Sequence, residues 1–152
     1  MTAVLCFVAL MLAAPPAPQF TPIAAARQQS QGATVTVIGL VTVPSGDFKS
    51  SSGDEGFAIQ DQTAGIWVSV PKNLHLRLGQ KVQVSGTLGT SYGKLQLASA
   101  TVTPLAGTRL RVATGQVGTA TLGYIVTIEG TITSAGVTKD LPYGWKLWID
   151  DA

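Results

Sequence analysis

From residue 33 onward, apolar and polar positions alternate in short runs with a period of two. Residues 33 to 43 read Ala-Thr-Val-Thr-Val-Ile-Gly-Leu-Val-Thr-Val, which places Val35, Val37, Gly39 and Val41 on one face. That period belongs to a half-buried strand, and a Gly inside it marks a bend in a coiled strand. Residues 44 to 55 hold Pro44, four serines and two glycines, a loop composition. Phe57, Ile59 and Asp61 then alternate with Ala58 and Gln60. After Gln62-Thr63-Ala64-Gly65, Ile66, Val68 and Val70 alternate with Trp67 and Ser69. Two such runs around a four-residue turn predict a hairpin, ended by Pro71. Asp61 is placed to open that turn through its side chain. Lys81 to Thr87 alternates again, Ser91-Tyr92-Gly93 turns the chain, and Leu95, Leu97 and Val102 follow. No stretch carries a convincing helical stripe; Asn73 to Leu78 has room for a single turn.

The predicted order is a long strand, a hairpin, a short connection and two more strands. This order, between residues 33 and 106, resembles the OB-fold, the five-stranded Greek-key barrel. The residues that carry the resemblance are Gly39-Leu40-Val41-Thr42, Gly56-Phe57-Ala58-Ile59-Gln60-Asp61, Thr63-Ala64-Gly65-Ile66-Trp67-Val68 and Leu78-Gly79-Gln80-Lys81-Val82-Gln83-Val84-Ser85-Gly86. The pattern looks like the small OB-fold domains of secreted bacterial proteins, including those attached to extracellular nucleases. The connection from Pro71 to Gln80 is shorter than in OB-folds that carry a full helix there.

The pattern then starts over. Val126 to Thr133 matches Val35 to Thr42, with Gly130 in the place of Gly39, and Leu147 to Asp151 matches Phe57 to Asp61. Gly39 and Phe57 are 18 positions apart, Gly130 and Leu147 are 17 apart. Nearly constant spacing predicts a second copy of the unit, stopping after its second strand. Two strands alone are marginal in water, so the chain reads as a fragment of a longer protein. The alternative is a decorating hairpin on the first barrel. The expected organisation is a leader over 1–26, an OB-fold domain over 27–107, a linker over 108–123 and a truncated second repeat over 124–152.

The first 26 residues contain no charged side chain, and Ala3 to Ala14 is an unbroken apolar run. Twelve residues are too few to span a bilayer, which takes ~20. Clustered prolines and Ala24-Ala25-Ala26 before Arg27 predict a secretory signal cut after Ala26, although no Lys or Arg precedes the apolar run. The expected location is therefore outside the cell or in its envelope. Cys6, the single cysteine of the 152 residues, would leave with the leader.

Composition narrows the chemistry. One cysteine and one histidine exclude a disulfide framework, a multi-cysteine zinc site and HExxH. A net charge of +2 is far below that of a dedicated duplex-DNA binder. Asp150 and Asp151 are adjacent on a strand and point to opposite faces, so they do not form a carboxylate pair. His75 has no sequence-adjacent partner. The glycines at 86, 89 and 93 precede no helix and predict no phosphate cradle. No enzyme activity, cofactor or metal is expected.

A binding face remains. OB-folds bind oligonucleotides across strands two and three and the flanking loops; bases stack on aromatics while Lys and Arg follow the backbone. Parity turns Gln60, Trp67 and Ser69 outward. Phe48 and Lys49 lie in the first long loop, Tyr92 and Lys94 at the tip of strands four and five, and Lys81 and Gln83 are expected beside them. The expected function is a secreted module that binds single-stranded DNA or RNA. The alternative is a structural or protein-interaction domain without nucleic acid.

Overall fold

The computed structural model describes residues 19–48, 53–108, 113–114, 121, 124–140 and 144–150. Five strands form a closed barrel: β1 (Thr34–Val43), β2 (Phe57–Gln60), β3 (Gly65–Val68), β4 (Gln80–Ser91) and β5 (Lys94–Thr108). Their order around the barrel is β1-β2-β3-β5-β4, with β1 also paired to β4. All neighbours run antiparallel except β3 and β5. This is the OB-fold. Alternation dictates it: on β1 and β4 every second residue is buried, and the inward set of Val37, Val41, Phe57, Ile59, Val68, Val82, Val84 and Leu97 is 0% exposed.

β4 and β5 run well past the segments that alternate cleanly in sequence. Their ladder slips between Ser85 and Thr87, where β5 carries an extra residue and Ser99 takes a φ of 50°. A bulge of this kind bends a long hairpin. Gly86 lies against it: a Cβ there would sit 3.0 Å from the Ala98 carbonyl oxygen. Residues 73–77 form an irregular loop with no helical turn. Leu76 from this loop is buried in the core. Ser45 ties the loop down, donating to the Glu55 carbonyl at 2.7 Å and accepting from the Leu74 N–H at 3.0 Å.

The N-terminal segment belongs to the barrel. A single helical turn, α1 (Ile23–Ala26), buries Ile23 and Ala26 completely. It docks on the β2–β3 turn, where the N–H of Ile23 donates to Asp61 Oδ2 at 2.8 Å and that of Ala24 to Thr63 Oγ1 at 3.0 Å. Thr21 donates to the carbonyl of Thr36 at 2.8 Å, and the Arg27 guanidinium to that of Gly65 at 3.3 Å. The leader boundary expected after Ala26 thus falls inside a segment that fills the core. The run Ala3 to Ala14 and Cys6 lie outside the described residues.

Beyond the barrel, β6 (Ala113–Thr114) pairs in parallel with β7 (Val126–Thr127), and β8 (Thr131–Asp140) pairs with β9 (Gly144–Asp150). The β8–β9 hairpin repeats the register of β1–β2. Leu40 faces Gln60 and Val41 faces Ile59; Thr131 faces Asp150 and Ile132 faces Ile149. These are the same pairs that the sequence repeat aligns. Both glycines serve one purpose. A Cβ at Gly39 would meet the Gln60 oxygen at 2.9 Å, and one at Gly130 the Asp150 oxygen at 2.5 Å. What differs is burial. Val41 and Phe57 are 0% exposed, whereas their counterparts Ile132 and Leu147 are 55% and 49% exposed. Asp151 lies outside the described residues.

Candidate functional site

The outer face of β2 and β3 is organised around Trp67. Parity sends its side chain outward between the inward Ile66 and Val68, opposite Ala58 on β2 and Gln96 on β5. The residue is nevertheless half-buried, because the β1–β2 loop returns across it. Asp54 of that loop accepts from Trp67 Nε1 at 3.1 Å through Oδ2, and from the Ser69 hydroxyl and the Val70 N–H at 3.1 Å through Oδ1. Gly56 packs flat on the indole, where a Cβ would come within 2.6 Å of Cζ2. The Lys94 ammonium lies 3.9 Å from the ring centroid, a cation–π arrangement. Burial lowers the Lys94 pKa from its ordinary value, and the Asp54 carboxylate works against that shift.

A cavity of about 230 Å³ opens beside the ring. β1 gives it Thr42 and Val43, β2 Ala58, β3 Trp67 and β5 Lys94 and Leu95, while Tyr124 and Ile125 line the remaining side. The Ile125 N–H donates to Gln60 Oε1 at 3.0 Å. Burial raises the Tyr124 pKa, the Asp61 carboxylate adds to this and Arg27 partly offsets it.

The structure therefore sorts the expected residues. Trp67, Ser69 and Lys94 come together, joined by Asp54. Tyr92 stands beside them at the β4–β5 tip, almost fully exposed with a φ of 49°. Phe48 is exposed on the β1–β2 loop, the loop that supplies Asp54. Gln60 points outward as parity requires but is buried, because the 124–125 segment covers it; it serves that segment and not a solvent-facing surface. Lys81 and Gln83 do not flank Tyr92 and Lys94. They sit opposite Leu40 and Ile38 of β1, and Lys81 runs beside Gly107 at the far end of β5. β4 is long enough that Lys81 is ten residues from Ser91, about 33 Å of strand path at ~3.3 Å per residue. Lys49 lies outside the described residues.

Alternation does not point to three contributors to the site: Asp54, Gly56 as the surface under the indole, and the Tyr124–Ile125 segment. Asp54 lies in a stretch whose composition predicts only a loop, and nothing in alternation links residue 124 to residue 60. His75 is exposed on its loop, its N–H held by Asn73 Oδ1 at 2.7 Å. Among the described residues, no three His, Cys, Asp or Glu side chains are grouped to hold a metal ion.

No protein-family model matches the chain, and no curated protein sequence does. Among solved structures, the Ifi202 HINa domain in complex with 20-base-pair double-stranded DNA is similar at 20% identity and a TM-score of 0.47, over 57% of this chain and 47% of that one. The p204 HINb domain is similar at 19% identity and a TM-score of 0.48, over the same shares. The likeness spans about half the length of those chains. The OB-fold assignment rests on the strand order of the barrel itself.

Proposed function

We propose that the barrel is a single-stranded nucleic-acid-binding module of an exported protein, acting by binding and not by catalysis. The observation that carries this reading is the Lys94 ammonium 3.9 Å above the Trp67 ring, beside a cavity on the β2–β3 face. An aromatic ring and a cation in contact with it are the two groups that base stacking and phosphate attraction use, and they stand where OB-folds take their ligands. Tyr92 and Phe48 supply exposed aromatics on the two flanking loops. The resemblance to secreted bacterial OB-fold domains points the same way. Because Lys81 is remote, few cations gather at the site and the salt dependence of binding is shallow.

The test is a fluorescence titration of the full chain carrying Trp145→Phe and Trp148→Phe, so that Trp67 alone emits. Both replaced residues are exposed. Oligothymidylate and oligouridylate at low salt quench the emission, and Trp67→Ala, followed by the anisotropy of a dye-labelled oligonucleotide, weakens binding by ~1–3 kcal/mol per stacked base. An unchanged emission and anisotropy with both probes overturns the reading. A second reading, a protein-interaction module, is favoured by the Ile125 N–H bound to Gln60: this face already holds a length of polypeptide.

A further inference from the structure

Trp67 is braced by groups that are part of the backbone or tied to it. The Gly56 backbone lies against the indole, and Asp54 fixes its N–H while also binding the N–H of Val70. The one displaceable neighbour is Lys94, a flexible four-carbon stem ending in a point charge. No base can stack on the ring centre while the ammonium lies 3.9 Å from it. The adjoining cavity of about 230 Å³ is smaller than the ~300–1,000 Å³ that drug-sized ligands occupy, a size suited to one planar ring. Tyr124 brings a phenol to its lining, and Ala58 and Leu95 apolar walls.

We propose that one base of a single strand enters this cavity by displacing Lys94 from the Trp67 face, and that the released ammonium then pairs with the adjoining phosphate. The proposal rests on the nucleic-acid reading above and adds an exchange to it. In the free protein Lys94 occupies the stacking surface; in the complex it becomes the phosphate contact. Its depressed pKa agrees with a cation held away from water in the closed arrangement. The consequence is selectivity. A base that arrives without a phosphate displaces the ammonium with no compensating pair, so a neutral nucleoside binds poorly.

The experiment compares wild type, Lys94→Met and Lys94→Arg in the Trp145→Phe, Trp148→Phe background, with adenosine and with oligothymidylate as probes. Lys94→Met binds adenosine about two- to fivefold more tightly than wild type, since the competing cation–π contact is gone. The same variant binds the oligonucleotide more weakly at low salt, and its salt slope falls by ~0.7, one phosphate contact on a single strand. Lys94→Arg keeps the charge and restores the low-salt oligonucleotide affinity and salt slope that Lys94→Met loses, while its guanidinium stacks on the ring and gives no gain in adenosine binding, which separates the exchange from a folding defect. Oligonucleotide binding with equal losses, or no change, for both probes in Lys94→Met overturns the exchange and leaves the nucleic-acid reading standing. Failure of every probe to perturb Trp67 in wild type overturns both.

Discussion

Asp54 holds Trp67 by its indole N–H, with a donor–acceptor distance of 3.1 Å. The same carboxylate takes the Ser69 hydroxyl and the Val70 N–H, so one loop residue fixes both the ring and the end of β3. Asp54→Ala leaves those donors without their partner, and an unpaired buried donor costs ~1–3 kcal/mol. Urea unfolding should show a loss of that size, and native Trp67 emission should shift as the ring loosens. Unchanged stability and emission would mean the loop does not set the ring.

Gly56→Ala is expected to displace Trp67. The added Cβ meets Cζ2 at 2.6 Å and Nε1 at 2.7 Å, and overpacking of this kind costs ~1–3 kcal/mol. Gly89 makes the control, since nothing lies within 4 Å of a Cβ there and Gly89→Ala should be neutral or slightly stabilising. Equal unfolding midpoints for the two variants would contradict the packing described.

Asp61 gives the barrel an acid-sensitive joint. Burial alone would raise its pKa, but hydrogen bonds from the Ile23 N–H, the Thr63 hydroxyl and the Ala64 and Thr63 N–H groups outweigh it, and the native value lies below the ordinary 3.8. A depressed carboxylate contributes stability that is complete above its unfolded pKa and lost as pH falls through the native one. Wild type should therefore lose stability below about pH 3.8 more steeply than Asp61→Asn. Parallel curves of unfolding midpoint against pH would remove Asp61 from the joint.

Processing of the N-terminus follows from Ile23. An exported form of this chain keeps residues 21–26, because a cut after Ala26 would take two fully buried side chains out of the core. Intact-mass measurement should find a mature N-terminus at or before Thr21. Ile23→Ala should cost ~2–5 kcal/mol, the range for truncating a buried Ile. A secreted chain that begins at Arg27 and is as stable as one that includes Thr21 would refute this.

The barrel was legible because β1 and β4 bury one face, which turns strand geometry into alternation, and because Phe57 and Ile59 keep that period on β2 although both its faces are covered. Residues 34–43, 57–60 and 65–68 fall where the period predicts them. The limits of β5 are not legible, because the bulge at Ser99 shifts its parity midway. Lys81 and Gln83 lie away from Tyr92 for another reason: β4 keeps its alternation but runs from Gln80 to Ser91, so its two ends are far apart. Trp67 was legible as an outward residue, and Lys94 as a residue near the tip of the β4–β5 hairpin. Their closure by Asp54 and by Tyr124–Ile125 was not, since it depends on contacts between segments that share no period. Gln60 shows the difference: its direction follows from parity, its burial from a segment 65 residues away.

The parallel pairing of β3 and β5 rests on two matched positions, Trp67 with Gln96 and Val68 with Leu97, extended by the Ser69 N–H to the Leu97 carbonyl at 2.8 Å. Every other seam of the barrel is antiparallel, and β4–β5 is a local hairpin. With two matched positions against seven between β1 and β4, this seam has the least ladder to hold it, and it is expected to open first when the barrel breathes. Opening there splits the floor beneath Trp67. The amides of β3 should then exchange with solvent ahead of those in β1 and β4, which makes the ligand face the most deformable wall of the barrel.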